Sequence, residues 1–466
     1  MSNQFNDDIN KVIKEYEKNL KEGRSDFYDL DTFEEILEYY FEEFKINKAL
    51  SVCEHAESFY PNSALIKVYR SKISAYMGNY KEALQLSNEA EKIAPNDYIV
   101  LFQKGTIHSI LGETEKAIGY FYKALDESHA SEKGELLYNM AITYLSADQF
   151  DDAYEVFKSA LAEDQSLEEA VYELYDLALK LNKLGDVETL LEALIDLNPY
   201  KAESWYNKGI FFSQAKQFDK ALASFEYATL VNEKFENAYM HMGHCYLNKK
   251  EFANAFRKYL EALQVTKKPT PELYCHLGAA SEMMEDYNVG IRYFKKALEI
   301  DVDYDDAWFG VGENHRKLGN FLEATHYLNK AVKLNPHYDE YWYALAKAES
   351  SLGNFVAGIE AFKSATSLNP NKIGIWLDWS EVYSKNEEMD EAIEVMKKAI
   401  NNIPEHASLY YRKAAYQLLD GKMNEAFASI QKALELDYDV HQELIDYMPE
   451  ESMKKILKSA IDKFKR

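Results

Sequence analysis

Asp305-Asp-Ala-Trp-Phe-Gly-Val-Gly-Glu-Asn-His-Arg-Lys-Leu-Gly-Asn-Phe-Leu-Glu-Ala-Thr-His-Tyr-Leu-Asn-Lys-Ala-Val-Lys-Leu-Asn-Pro336-His-Tyr338 is thirty-four residues long and decides the fold. Trp308 and Gly312 share one helical face. Phe321, Ala324, Leu328 and Ala331 share another, beyond Gly319. Apolar residues three and four apart on both sides of a glycine predict two amphipathic helices joined by a tight turn. Pro336 cannot continue the second helix and closes the stretch.

The same spacing recurs on both sides. Pro336, Pro370 and Pro404 are each thirty-four apart, as are Pro61 and Pro95. Pro95 to Pro199 is three periods plus two residues, and Pro199 to Pro336 four periods plus one. Twelve units fit: 30–63, 64–97, 98–131, 134–167, 168–201, 202–235, 236–269, 271–304, 305–338, 339–372, 373–406 and 407–440, with 132, 133 and 270 inserted. This pattern resembles the tetratricopeptide repeat (TPR), a helix-turn-helix unit of thirty-four residues. The resemblance implies an all-α, right-handed superhelical solenoid whose units share one continuous core.

Small residues stand where the helices of each unit cross. The eighth position holds Gly105, Ala141, Gly209, Gly243, Gly278, Gly312, Ala346, Ser380 or Ala414. The twenty-seventh is alanine in eleven of twelve units. Nothing larger than a methyl there lets backbones approach, while Phe121, Phe157, Phe225, Phe294 and Phe362 fill the space alongside. The fifth unit departs, with Tyr175, Val187 and Leu194 at its three small positions. Either its helix pair is wider, or Ala178, Gly185 and Ala193 restore ordinary packing. At Lys267-Lys-Pro-Thr-Pro271 two prolines and one inserted residue suggest a mild hinge.

Residues 1–29 read as a capping helix ending near Gly23, with Ile9, Val12, Ile13 and Tyr16 on one face and Asp7 and Asp8 at its start. Residues 441–466 read as closing helices, His441 to Met448 and Ser452 to Phe464. Lys454, Lys455, Lys458, Lys463, Lys465 and Arg466 make that end basic, which serves either a docking tail or a solvated capping face.

The chain has 466 residues, 47% of them hydrophobic, and a net charge of -26. That acidity repels phosphate backbones and anionic headgroups, so nucleic acid and membrane are not expected partners. Cys53, Cys245 and Cys275 suggest no disulfide framework. The N-terminal residues lack a basic and apolar leader pattern, and no apolar run approaches the ~18 residues that span a bilayer. A cytoplasmic protein is expected.

Neither a Walker-type loop, a G-x-G-x-x-G nor a G-x-S-x-G occurs. The termini outside the units hold no catalytic domain, so neither enzyme activity nor a cofactor is expected. One cluster is weighed against this: His241 and His244 in unit seven, with Cys275 and His276 in unit eight, are nitrogen and sulfur groups of the kind that bind zinc or copper. Convergence on one ion across helices 8–10 Å apart is demanding, and the alternative is a set of groove histidines.

The TPR resemblance further implies that first helices line a concave surface, where positions two, five, six and nine contact a peptide. Position two carries Glu135, Glu169, Glu203, Asn237, Glu272, Asp306 and Glu340 through units four to ten. Position five carries Tyr138, Tyr172, Tyr206, Met240, Cys275, Phe309 and Tyr343, and position six includes Asn139, Asn207, His241 and His276. With His244, these residues form the candidate groove. Acids beside aromatics suit a basic segment through charge steering and cation–π contact, although acids in a first helical turn also stabilise any helix. The Lys and Arg set of the chaperone-tail carboxylate clamp is absent, since Phe102, Thr106, Glu169 and Glu173 stand where it would be.

The expected function is a protein-binding scaffold or adaptor; the alternatives are a peptide-responsive sensor and a metal-dependent activity at the histidines. The segment from Glu22 into unit one resembles that of bacterial TPR proteins without an assigned biochemical role. Monomer and dimer are both compatible with the pattern.

Overall fold

The computed structural model describes residues 12–19, 22, 26–449 and 451–464. Every regular element among the described residues is a helix. From Leu30–Glu42 and Ile46–Phe59 to Ala407–Leu419 and Met423–Leu436, the helices follow in pairs of 13 or 14 residues. The chain forms two compact bodies, Met1–Ala238 and Tyr239–Arg466, divided within the helix Glu236–Asn248. Pairs are numbered below as repeats one to twelve.

The crossing inside each pair depends on the eighth position. A Cβ added at Gly209 would meet the ring of Phe225 at 2.4 Å, one at Gly243 the ring of Tyr259 at 2.4 Å, and one at Gly278 the ring of Phe294 at 2.8 Å. In these repeats position twenty-four thus puts a ring where the glycine has no side chain, and backbone packs directly on aromatic carbon. The alanines at position twenty-seven, from Ala56 to Ala433, are fully buried. In ten of these eleven repeats, all but that of Ala124, the carbonyl also accepts the closing backbone bond of the second helix, as Ala228 does from Asn232 at 2.9 Å.

Repeat five has no such seat. Its position eight is Tyr175 and its position twenty-four is Leu191, neither a small residue nor a ring. Its helices Glu168–Leu181 and Leu184–Leu197 approach each other far less closely than those of repeats four and six. Tyr175 turns instead to Phe211 of repeat six, edge-on at 5.8 Å between ring centroids.

A second device sits at position fifteen, between the two helices. There the backbone is left-handed in all twelve repeats, at Phe44, Gly78, Gly112, Asp148, Asn182, Lys216, Lys250, Glu285, Gly319, Gly353, Glu387 and Gly421. Only five of the twelve are glycine, so seven L side chains carry the steric cost of that conformation, about 1–2 kcal/mol each. A third device joins consecutive repeats. The indole N–H groups of Trp205, Trp308, Trp342 and Trp376 donate to the carbonyls of Pro199, Val302, Pro336 and Pro370 at 2.7–2.9 Å, and Tyr410 does so to Pro404 through its hydroxyl at 3.0 Å.

At the suspected hinge, Thr270 caps the helix Pro271–Met283 by accepting from the Leu273 N–H at 3.3 Å, and Pro271 takes the first helical turn, where its missing N–H costs nothing. Leu273 and Leu277 pack with Tyr259 and Ala262, so the core runs unbroken past the prolines. Near the start, Ile13 and Tyr16 are buried against Phe33, Ile36 and Tyr40 of repeat one. Near the end, Leu444, Ile445, Met448, Leu457 and Ile461 pack on repeat twelve, from helices Gln442–Tyr447 and Glu451–Phe464. Asp7, Asp8, Ile9, Gly23, Lys465, Arg466 and the Lys463 side chain lie outside the described residues.

Two expectations follow from these devices. Gly209→Ala forces a methyl into the Phe225 ring and should destabilise the chain by about 1–3 kcal/mol in denaturant melts. Lys216→Gly and Lys250→Gly relieve a left-handed L residue and should each stabilise by roughly 0.5–1 kcal/mol, whereas Gly319→Ala should cost about 1 kcal/mol.

Candidate functional site

In the N-terminal body, the first helices of repeats one to four line a groove of about 710 Å³. Its walls include Glu34, Glu38, Tyr69, Lys72, Tyr76, Tyr98, Phe102, Glu132, Glu135 and Asn139. The Tyr69 hydroxyl donates to the carboxylates of Glu38 at 2.5 Å and Glu34 at 3.4 Å. Burial, with Glu38 adjoining, raises the Glu34 carboxyl above the usual carboxylate range. Burial and the neighbouring Glu132 push the Tyr98 hydroxyl up to about 12. Lys72 is the one cation in the lining, its ammonium 4.7 Å from the Phe41 ring centroid.

Sequence reasoning placed only Glu135 and Asn139 of this lining in the groove, because it followed the acidic stripe from repeat four onward. Repeats one to three continue the same register, with Glu34 and Glu38 at positions five and nine and Phe102 at position five. The period alone could have found them.

The rest of the N-terminal stripe is partly wall and partly surface. Glu135 and Glu169 are exposed, and Glu203 is half-buried. Tyr138 lies edge-on to Phe157 at 5.6 Å, with its hydroxyl raised by burial and by Glu173 and Glu169. The Asn139 amide donates to the Glu135 carbonyl at 2.9 Å. Glu168 gathers two hydroxyls, Tyr172 at 3.0 Å and Tyr206 at 2.6 Å. Tyr206 and Asn207 are only 4% and 1% exposed, and the Asn207 amide donates to the Gln165 carbonyl at 2.8 Å. Those two therefore support the face from beneath.

In the C-terminal body, the acids of the stripe are held by the chain's own donors. Asp306 accepts from Tyr341 at 2.6 Å, and Phe309 stacks on the same Tyr341 ring at 4.8 Å. Glu340 pairs with Lys372 at 3.0 Å. Tyr343 donates to Asp378 at 2.6 Å, with the Lys347 and Lys372 ammonium groups 5.0 and 5.7 Å from its ring centroid. Met240 packs with the cluster around Tyr259 and Leu273.

The histidines do converge. The Nε2 atoms of His244 and His276 are 3.4 Å apart, Glu272 Oε1 is 3.4 Å from His276 Nε2, and the His241 ring is 5.6 Å from that of His244. Tyr259 stacks beneath His276 at 5.2 Å. Cys275 packs near Ile291, Phe294 and Val311, its thiol pushed up to about 12 by burial and by Asp306, Glu272 and Asp305. Among the described residues no set of three or more His, Cys, Asp or Glu groups is arranged to hold a metal ion. Burial first, then His276 and His241, pushes the His244 imidazole down to about 3, and burial also lowers His276. The unfolded chain therefore binds protons here that the folded chain refuses. Stability should fall as pH drops below the ordinary histidine value of 6.5, by about 2 kcal/mol from His244 between pH 6.5 and pH 5. Urea melts at those two pH values should show this loss, and His244→Gln should remove most of it.

Tetratricopeptide repeat family models match residues 98–128, 136–170, 172–231, 271–304, 305–338, 339–372 and 374–406, more than half of the chain. The chain is similar to mouse Superkiller complex protein 3, with 24% identity over 59% of this chain and 18% of that protein. It is similar also to human DnaJ homolog subfamily C member 7, with 23% identity over 50% of this chain and 44% of that one. The matches thus span less than half the length of these relatives. The crystal structure of yeast Tom70 aligns over 92% of this chain and 95% of its own at 15% identity, with a TM-score of 0.41. No described helix is long and apolar enough to cross a membrane. The repeated match along the sequence, on a chain built of paired helices, makes this protein a member of the tetratricopeptide repeat family.

Proposed function

We propose that this chain is a non-enzymatic, cytoplasmic protein-interaction scaffold that takes a basic, extended segment of a partner protein along the first-helix face of repeats one to four. The observation that carries this reading is the groove lining: four carboxylates (Glu34, Glu38, Glu132 and Glu135) and several aromatic rings, against one lysine. Carboxylates steer Lys and Arg side chains, and Tyr76, Tyr98 and Phe102 offer ring faces to the cations once they arrive. Asn139 and Gln103 bring amides to the same groove for a peptide backbone. The face continues through Glu169 and Glu203. Farther along, Glu340 and Asp378 are paired with Lys372 and Lys347 and attract cations less.

In this reading the buried residues around Ile13 and Tyr16 cap repeat one, and the helices after Met423–Leu436 cap repeat twelve. Each end covers apolar surface that a terminal repeat leaves open. The family resemblance supports protein binding, and the groove chemistry supports the basic preference.

The test is fluorescence anisotropy of Lys- and Arg-rich peptides on the full chain at low and high salt. Glu38→Gln with Glu135→Gln should weaken binding roughly tenfold or more without unfolding the chain, since an amide oxygen at position 38 can still accept from the Tyr69 hydroxyl. Binding should also fall as pH is lowered through the carboxylate range, with Glu34 taking up its proton first because its pKa is raised. Equal binding by wild type and variant would overturn the basic-groove reading.

A further inference from the structure

On the face opposite the groove positions, the second helices of repeats two and three enclose a cleft of about 460 Å³. It is lined by Leu84, Asn88, Lys104, His108, Lys116, Gly119, Tyr120 and Lys123. Three lysines with no acid in the lining are a local exception on a chain of net charge -26.

The site is built rather than a chance meeting of surface lysines. Lys104 and His108 are 3% and 7% exposed, and both rise from the first helix of repeat three. Tyr120 organises them: His108 lies parallel to its ring at 5.4 Å, and the Lys104 and Lys123 ammonium groups stand 4.5 and 5.1 Å from its centroid. Glu91 and Glu113, outside the lining, pin the cations. Glu91 takes Lys104 at 2.6 Å, and Glu113 takes the His108 Nδ1 at 2.6 Å and Lys116 at 3.1 Å. Lys123 has no ion pair among the described residues. Three lysines against two glutamates leave an excess of positive charge at the cleft.

Gly119 is the second observation. It lies in the interior of the helix Thr114–Glu127, where glycine costs helical stability, and a Cβ there would meet nothing within 4 Å. The glycines at the helix crossings are explained by the side chains they face, a ring at Gly105, Gly209, Gly243 and Gly278 and Leu328 at Gly312. Gly119 faces empty space, and what its missing side chain leaves open is the mouth of the cleft.

We propose that this cleft is an anion site that binds a phosphate group, carried either by a phosphorylated side chain of a partner or by a small phosphate compound. Lysine ammonium groups converging from separate helical turns act as point charges around a multivalent, non-planar anion. A planar carboxylate would call for an arginine fork, and none is present. The acidity of the rest of the chain repels anions generally, so binding is confined to this local exception and is salt-sensitive.

The experiment is isothermal titration of the full chain at low ionic strength with inorganic phosphate, a phosphoserine peptide, and the same peptide carrying serine or glutamate instead. Wild type is compared with Lys123→Glu and Gly119→Glu, two changes at exposed positions. Saturable binding of phosphate or phosphopeptide, weakened roughly tenfold or more in both variants, supports the site. Matching affinity for the two ligands assigns it to the phosphate group alone, and binding of the peptide only assigns it to a phosphorylated partner. The Glu38→Gln, Glu135→Gln groove variant should bind phosphate as wild type does. Absence of saturable binding, binding by the two cleft variants as tight as by wild type, or binding of the glutamate peptide as tight as the phosphoserine peptide would overturn the proposal.

Discussion

Backbone can lie against an aromatic ring only where a side chain is missing, and this chain repeats that contact from pair to pair. Gly105 on Phe121, Gly209 on Phe225, Gly243 on Tyr259 and Gly278 on Phe294 are one interaction in four places. It sets the distance between the two helices of a repeat, and that distance sets which side chains of the first helix remain at the surface. The buried alanines at position twenty-seven extend the same close packing. Repeat five shows the converse. Where Tyr175 replaces the small residue, its helices separate and the ring finds Phe211 of the following repeat.

Tight packing on one side of each first helix leaves the other side for chemistry. In repeats one to four that side collects carboxylates and rings around a single lysine. In repeats nine to eleven it collects carboxylates that already hold Tyr341, Tyr343, Lys347 and Lys372. Similar residue types thus form an attracting face in one body and an internally neutralised one in the other. The difference is the kind of donor: Glu34 and Glu38 hold only the neutral Tyr69 hydroxyl, whereas Glu340 and Asp378 pair with the Lys372 and Lys347 ammonium groups, which cancel their charge.

The histidine pair and the outer cleft show how burial changes what a residue can do. His244 and His276 meet nitrogen to nitrogen, and burial keeps protons off both. Lys104 and His108 are also buried, but each is paired with a glutamate, and Tyr120 holds them at the edge of an open cleft. One arrangement favours the neutral imidazole. The other keeps a buried lysine charged by setting it against a carboxylate.

The sequence by itself determined the period, the paired helices, the small positions at their crossings and the acidic-aromatic stripe. All of these follow from residue volume and hydrophobic spacing, which repeat every thirty-four residues and need no knowledge of neighbours. Tertiary structure decided what spacing cannot encode. It placed seven non-glycine residues in left-handed turns, because the crossing geometry imposes that conformation whatever residue occupies it. It buried Tyr206 and Asn207, which the register had put in the groove, because position five or six faces solvent only as far as the adjoining repeat allows. It also brought Lys104, His108, Lys116 and Lys123 around Tyr120. Those residues lie on two helices and at unremarkable spacing, so only the packing of one helix on the next makes them a site.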